Sequence, residues 1–291
     1  MAASSFVHST RTTLEMIKWE HSIFALPFAL TGAMLGARGW PALHQTALII
    51  MCMVTARSAA MGFNRLADAE LDAANPRTAI RALPAGQLSR GFAAGFVVVM
   101  CALFVLAAAM LNHMTLLLSP LALVVVLGYS YTKRFTRWSH VVLGLALGIA
   151  PSAAWIAVRG SIDPRIVVLT LAVLLWVAGF DVLYACQDYE HDRRVGLNSV
   201  PQAFGLQAAF WIARTMHACM LGLLVWLLLL FNMGTVAAAG VGVVAALLLY
   251  EHLIISPHDL RRMNAAFFTL NGVISVVYFA AMAADMLLAA R

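Results

Sequence analysis

Two stretches of the chain, Gly91 to Thr132 and Thr215 to Tyr250, contain no Asp, Glu, Lys or Arg. A helix crosses a bilayer with roughly 20 apolar residues. Each stretch is too long for one span and must fold back within itself. Asn112-His113 offers the turn in the first, and Asn232-Met233-Gly234 offers it in the second. The rest of the chain agrees. Hydrophobic residues make up 63% and charged residues 11%, against about 25% charged in an ordinary soluble domain. The mean hydropathy is +0.87. These figures exclude a soluble enzyme, a disordered chain and a nucleic-acid-binding domain. They predict an all-α integral membrane protein.

Charged residues mark the ends of nine predicted spans. These lie near 21–38, 44–64, two within 91–132, 139–158, 166–187, two within 215–250, and 264–284. The polar N-terminal stretch has no short apolar core followed by a small-residue cleavage site, so no removable signal is expected. Cys52, Cys101, Cys186 and Cys219 stand singly in apolar segments and read as small core hydrophobes. One set of loops holds thirteen Lys and Arg: Arg11, Lys18, Arg65, Arg77, Arg81, Arg90, Lys133, Arg134, Arg137, Arg193, Arg194, Arg261 and Arg262. The opposite set holds Arg38, Arg159, Arg165 and Arg291. The positive-inside rule then places the N-terminus in the cytoplasm and the C-terminus outside. The net charge of +6 is, on this reading, first a topology signal.

The acidic residues are more selective. Asp68, Glu70 and Asp72 follow span two, and Asp181, Asp188, Glu190 and Asp192 close span six. Both groups fall on the predicted cytoplasmic side, four spans apart. This suggests one domain, 1–291, built from four-helix units near 14–135 and 138–262 with a ninth helix at 264–287. On a helix, residues four apart share a face. Asn64, Asp68 and Asp72 make one polar stripe, with Arg57 deeper along it. Arg65 is expected to point about 100° away from that stripe, and Pro76 to end the helix. Asp181, Tyr184, Asp188 and Asp192 make a second stripe. Carboxylates stacked this way repel, so each pair asks for a cation. Oxygen ligands without clustered Cys or His point to a hard ion, Mg²⁺ or Ca²⁺. Mg²⁺ commonly shares its shell with substrate phosphates. Lys133, Arg134, Arg137, Arg77 and Arg81 supply neighbouring positive charge. The combination fits a diphosphate on an apolar tail. Arg57 is a functional candidate because an intramembrane Arg is costly. A secondary transporter would place its acidic residues at the midplane, and a phospholipid-headgroup transferase would carry one continuous Asp-Gly-rich motif. Neither pattern is present.

These residues resemble the UbiA-type intramembrane prenyltransferases over nearly the whole chain. The resemblance rests on Asn64…Asp68…Asp72, on Asp188…Asp192 and on Tyr129-Ser130-Tyr131-Thr132-Lys133-Arg134. Lys18 to Phe28, Arg57 to Arg65 and Asn75-Pro76-Arg77-Thr78 are similar to the bacterial aromatic-acid branch. Two residues depart from the commoner pattern. Arg65 stands where an Asp is usual, and Lys18 stands where many members have Arg. The resemblance implies helices bundled around a cavity open to the cytoplasm and laterally to lipid, in a bacterial inner membrane. It implies Mg²⁺-dependent transfer of a polyprenyl group from its diphosphate to an aromatic acid. Asp68, Asp72, Asp188 and Asp192 would hold metal, and Asn64 would orient a diphosphate–metal contact. Lys18, Arg77, Lys133 and Arg134 would neutralise diphosphate. Asp181 or Tyr184 would assist proton loss. Arg57 would bind the acceptor carboxylate. The expected acceptor is 4-hydroxybenzoate, on the route to ubiquinone. The alternative is the futalosine-derived aromatic acid, on the route to menaquinone.

Overall fold

The computed structural model describes residues 12–13, 15–17 and 24–289. Its regular elements are helices: α1 Leu26–Ala37, α2 Leu43–Ala67, α3 Ala69–Ala74, α4 Arg90–Leu111, α5 His113–Thr132, α6 Ser139–Arg159, α7 Pro164–Ala185, α8 Tyr189–Val195, α9 Val200–Phe204, α10 Leu206–Leu230, α11 Thr235–Ile254 and α12 Asn271–Ala289. A π-helical turn, Ala265–Leu270, leads into α12. Among the described residues, eight segments are long and apolar enough to cross a membrane. The first predicted span differs. Its helix α1 has only 12 residues, about 18 Å at 1.5 Å per residue, which is short of a bilayer core. Pro27 stands in its first turn, where a missing N–H costs nothing.

Both predicted turns inside the charge-free stretches are present. Asn112 separates α4 from α5 and caps α5, accepting from the Thr115 N–H at 2.9 Å. Its amide also donates to the Ile156 and Ala157 carbonyls, which ties the turn to α6. Asn232 adopts the left-handed conformation (φ 50°) between α10 and α11.

Helix α7 is the hub, the most buried of the spans. Trp176, Val173, Val177 and Ala178 on it are fully enclosed. Glycines let its neighbours close in. A Cβ at Gly144 would meet the Leu174 carbonyl oxygen at 2.4 Å, and one at Gly32 would meet that of Pro151 at 2.2 Å. In lipid, where burial from water cannot drive helices together, such close backbone packing does so. Asn271, fully buried, accepts from the Trp176 indole at 2.8 Å. Its amide faces the Glu251 carboxyl (3.3 Å) and the Ala266 and Phe267 carbonyls (both 3.2 Å). That amide meets carbonyls at the π turn and fixes where Phe267 and Phe268 point.

Candidate functional site

The two acidic motifs end their helices in matching ways. Asp68 joins α2 to α3 with φ −100° and ψ 5°. Asp188 joins the 3₁₀ turn Cys186–Asp188 to α8 with φ −98° and ψ 6°. Both lie in the sparsely populated bridge region. The expected continuous stripes are therefore broken, each at its central carboxylate. Helix α3 stops at Ala74, with Asn75 extended as a residue before proline prefers.

A cavity of about 620 Å³ lies between the motifs. Asn64, Asp68, Asp72, Arg77, Lys133, Asp181, Tyr184, Asp188 and Asp192 all line it. Arg57 and Arg134 do not. Arg57 is half-buried on α2, within electrostatic range of Tyr129, which does line the cavity. Arg134 reaches Asp68 at 3.7 Å and donates to the Ala67 carbonyl. Lys18 lies outside the described residues.

Each of the four motif carboxylates meets a donor. Asp68, 2% exposed, accepts from Lys133 Nζ at 2.6 Å and Asn64 Nδ2 at 3.0 Å. Asp72 pairs with Arg81 at 2.6 Å. Asp188 takes a two-pronged bond from Arg77, Nε at 2.8 Å and Nη2 at 2.5 Å, plus Asn75 Nδ2 at 3.3 Å. Burial acts to lower the Arg77 pKa, but the Asp188 carboxylate outweighs it and raises the guanidinium above its ordinary value. Arg77 also donates to the Tyr184 hydroxyl at 3.2 Å. Asp192 accepts from Ser199 Oγ at 3.0 Å.

Arg65 corrects the sequence reading. It lies buried in the cavity wall with Nη1 3.9 Å from Asp72 Oδ2. Asp72 follows Arg65 by seven residues, close to two turns of 3.6. Phase counted from Asn64 hid this. His140 was also missed. Its ring sits 2.7 Å from Asp181, and its Nε2 accepts from the Val200 N–H at 3.3 Å. That contact assigns the proton to Nδ1, which donates to Asp181. A lone His opening a span was the only signal. Phe267 and Phe268 form an aromatic wall against Tyr184, with the Tyr184–Phe267 centroids 4.2 Å apart. Nothing in their spacing announces this, because it depends on the π turn.

The donor set of the first motif fits a hard cation. Asp68 Oδ1 and Asp72 Oδ2 are buried and accept no hydrogen bond. Among the described residues, no three of His, Cys, Asp and Glu converge as a ligand shell. Oxygen pairs with a spare acceptor suit Mg²⁺ that completes its shell with water and diphosphate oxygens.

A profile of the UbiA prenyltransferase family matches residues 25–273. The chain belongs to the UbiA prenyltransferase family. It is 31% identical over 252 residues to a 4-hydroxybenzoate octaprenyltransferase of Burkholderia ambifaria, covering 86% of this chain and 84% of that one. A UbiA homolog from Aeropyrum pernix K1, solved in apo form, superposes with a TM-score of 0.84 at 33% identity, covering 92% of this chain and 98% of that one. A UbiA homolog from Archaeoglobus fulgidus, solved bound to GPP and Mg²⁺, shares the fold at 21% identity, TM-score 0.70, over 95% and 99% of the two chains. This protein is thus a UbiA-family prenyltransferase and an integral membrane protein.

Proposed function

We propose that this UbiA-family enzyme moves a polyprenyl group from polyprenyl diphosphate to the ring of 4-hydroxybenzoate, in the route to ubiquinone. The observation that carries the reading is the single cavity in which Asp68, Asp72, Asp188 and Asp192 meet Lys133, Arg77 and Arg81 beneath an aromatic wall. The names of the relatives support the acceptor.

Asp68 and Asp72 would hold one Mg²⁺, and Asp188 and Asp192 another. The bound ion supplies neutralisation of charge on the diphosphate. The rest is done by the chain. Lys133, Arg77 and Arg81 line the cavity and stabilise the diphosphate as its C–O bond lengthens, with Arg134 adding positive charge from behind Asp68. Asn64, hydrogen-bonded to Asp68, fixes the carboxylate against rotation. Tyr184, Phe267 and Phe268 shield the allylic cation from water. Asp181, oriented by His140, takes the ring proton after attack. Arg57 would bind the acceptor carboxylate. Each half of the pseudo-repeat contributes one acidic motif. The enzyme sits in the bacterial inner membrane with its basic loops and this cavity at the cytoplasmic face.

The test is product analysis by mass spectrometry. Purified protein receives Mg²⁺, a prenyl diphosphate, 4-hydroxybenzoate and the futalosine-derived acid together. Prenylated 4-hydroxybenzoate is expected. Exclusive prenylation of the other acid overturns the acceptor and the pathway. Product without added metal, in the presence of chelator, overturns the Mg²⁺ assignment.

A further inference from the structure

A second cavity, about 650 Å³, opens at the other end of the bundle. Its side of the membrane is poor in basic residues, yet every described arginine of that side, Arg38, Arg159 and Arg165, lines it. Their partners differ. Arg165 is paired with Asp163 at 2.7 Å. The other acid of the lining, Asp285, is occupied by the N–H groups of Gly234 (2.7 Å) and Ala237 (3.2 Å) at the start of α11. Arg38 and Arg159 make no direct ion pair with a carboxylate among the described residues, though Asp163 lies within the field of Arg159. Arg159 only lies over the Trp155 ring, at 5.9 Å. Trp155 also lines the cavity, is 5% exposed, and its Nε1 has no acceptor.

Two guanidiniums without a direct ion pair line one concave site. Both end helices, Arg38 as the cap of α1 and Arg159 as the last residue of α6. A cation there suits the helix dipole, but the dipole does not require two of them to face one cavity. Opposite the arginines the wall is apolar, with Leu35, Leu230 and Met286. We propose that this cavity seats the phosphate of an anionic phospholipid from the leaflet opposite the carboxylate site. Arg38 and Arg159 would grip phosphate oxygens as planar forks, and the apolar wall would take the start of the acyl chains. The lining sets three arginines against two aspartates, a net single positive charge that favours an anionic headgroup over a zwitterionic one. The site is separate from the prenyl-transfer cavity and shares no residue with it.

The test uses the full chain in neutral detergent, with native mass spectrometry counting retained lipid. Phosphatidylglycerol, phosphatidylcholine and inorganic phosphate are offered in separate arms, and thermal unfolding is followed in each. Wild type should retain phosphatidylglycerol well above phosphatidylcholine. The Arg38→Gln/Arg159→Gln double variant should lose roughly tenfold in phosphatidylglycerol affinity, the scale of losing a charge-assisted bond, with prenyl transfer unchanged. The double replacement Arg165→Gln/Asp163→Asn, which removes an ion pair of zero net charge, should change retention little. Equal retention by the double variant and wild type overturns the proposal. So does stabilisation by inorganic phosphate equal to that by the lipid. If the double variant does not fold, the wild-type comparison decides: retention of the two lipids within twofold overturns the proposal.

Discussion

Replacing Asp68 by Asn keeps the shape and removes the charge. Asp68 is 2% exposed and holds Lys133 at 2.6 Å, Asn64 at 3.0 Å and Arg134 at 3.7 Å. Breaking a fully buried ion pair costs about 3–5 kcal/mol. The Lys133 side chain is 32% exposed, so water replaces part of the loss, and about 1–3 kcal/mol remains. Asp188→Asn is the same chemical change in a wetter place. The Arg77 and Asp188 side chains are 37% and 20% exposed, and such a pair is worth about 0–1 kcal/mol. The two variants should therefore separate in thermal unfolding, with Asp68→Asn melting lower. They should not separate in turnover. Each removes a proposed metal ligand, and each should slow prenyl transfer by at least roughly 10²–10³-fold, the cost of losing one transition-state charge contact. Detergent-purified protein, a fluorescent melting assay and product counting give both readouts. Asp188→Asn melting below Asp68→Asn would refute the burial argument. A folded variant turning over at the wild-type rate would refute the carboxylate assignment.

Other outcomes follow from the same contacts. Arg65→Ala should lower the Mg²⁺ concentration for half-maximal rate several-fold, because a guanidinium 3.9 Å from Asp72 competes with metal; an upward shift in a magnesium titration would contradict this. Asn271→Leu should destabilise the fold by about 2–4 kcal/mol, leaving the Trp176 indole and Glu251 without their buried partner; a melting point at the wild-type value would show the network to be dispensable. Gly32→Ala should impair folding and expression, since its Cβ would sit 2.2 Å from the Pro151 carbonyl oxygen; normal expression and melting would mean that α1 and α6 can separate at no cost. Arg57→Ala should raise the acceptor KM and leave that of the prenyl diphosphate unchanged; the reverse pattern would remove Arg57 from the acceptor site.

The span pattern was legible because hydropathy and turn chemistry act locally. Asn112 is read as a turn and proves to be an N-cap. The acidic motifs were legible because charge is rare in such a chain. Other features were not. A four-residue spacing is satisfied whether the helix continues or breaks, so the joints at Asp68 and Asp188 left no trace in the sequence. Arg65 was misplaced because its phase was measured from Asn64 and not from Asp72. His140 and Ser199 meet Asp181 and Asp192 across loops whose paths no local rule predicts. The length of the first helix depends on Pro27 and on residues beyond local hydropathy.

The loops explain why two breaks are useful. Each span gives way around its carboxylate to a short helix, α3 or α8, and the chain after that helix crosses to the other motif. After the first motif, Asn75 and Arg77 reach Asp188 at 3.3 and 2.8 Å. After the second, the Asn198 N–H donates to the carbonyl of Lys133 at 3.0 Å, and Lys133 holds Asp68. The loop after each motif thus braces the other motif's carboxylate, once directly and once through Lys133. An unbroken helix at either position would carry the loop along its own axis, away from the partner. The matched φ and ψ at Asp68 and Asp188 are then what lets two sequence-distant motifs face one cavity. They also couple the two. Loosening Asn198 should weaken the Lys133–Asp68 contact without touching any carboxylate. Asn198→Pro, which deletes that N–H while also fixing φ and removing the side-chain amide, should therefore lower turnover through the first motif while leaving the Arg77–Asp188 pair intact. A variant with normal turnover would show that Lys133 is held by Asp68 alone.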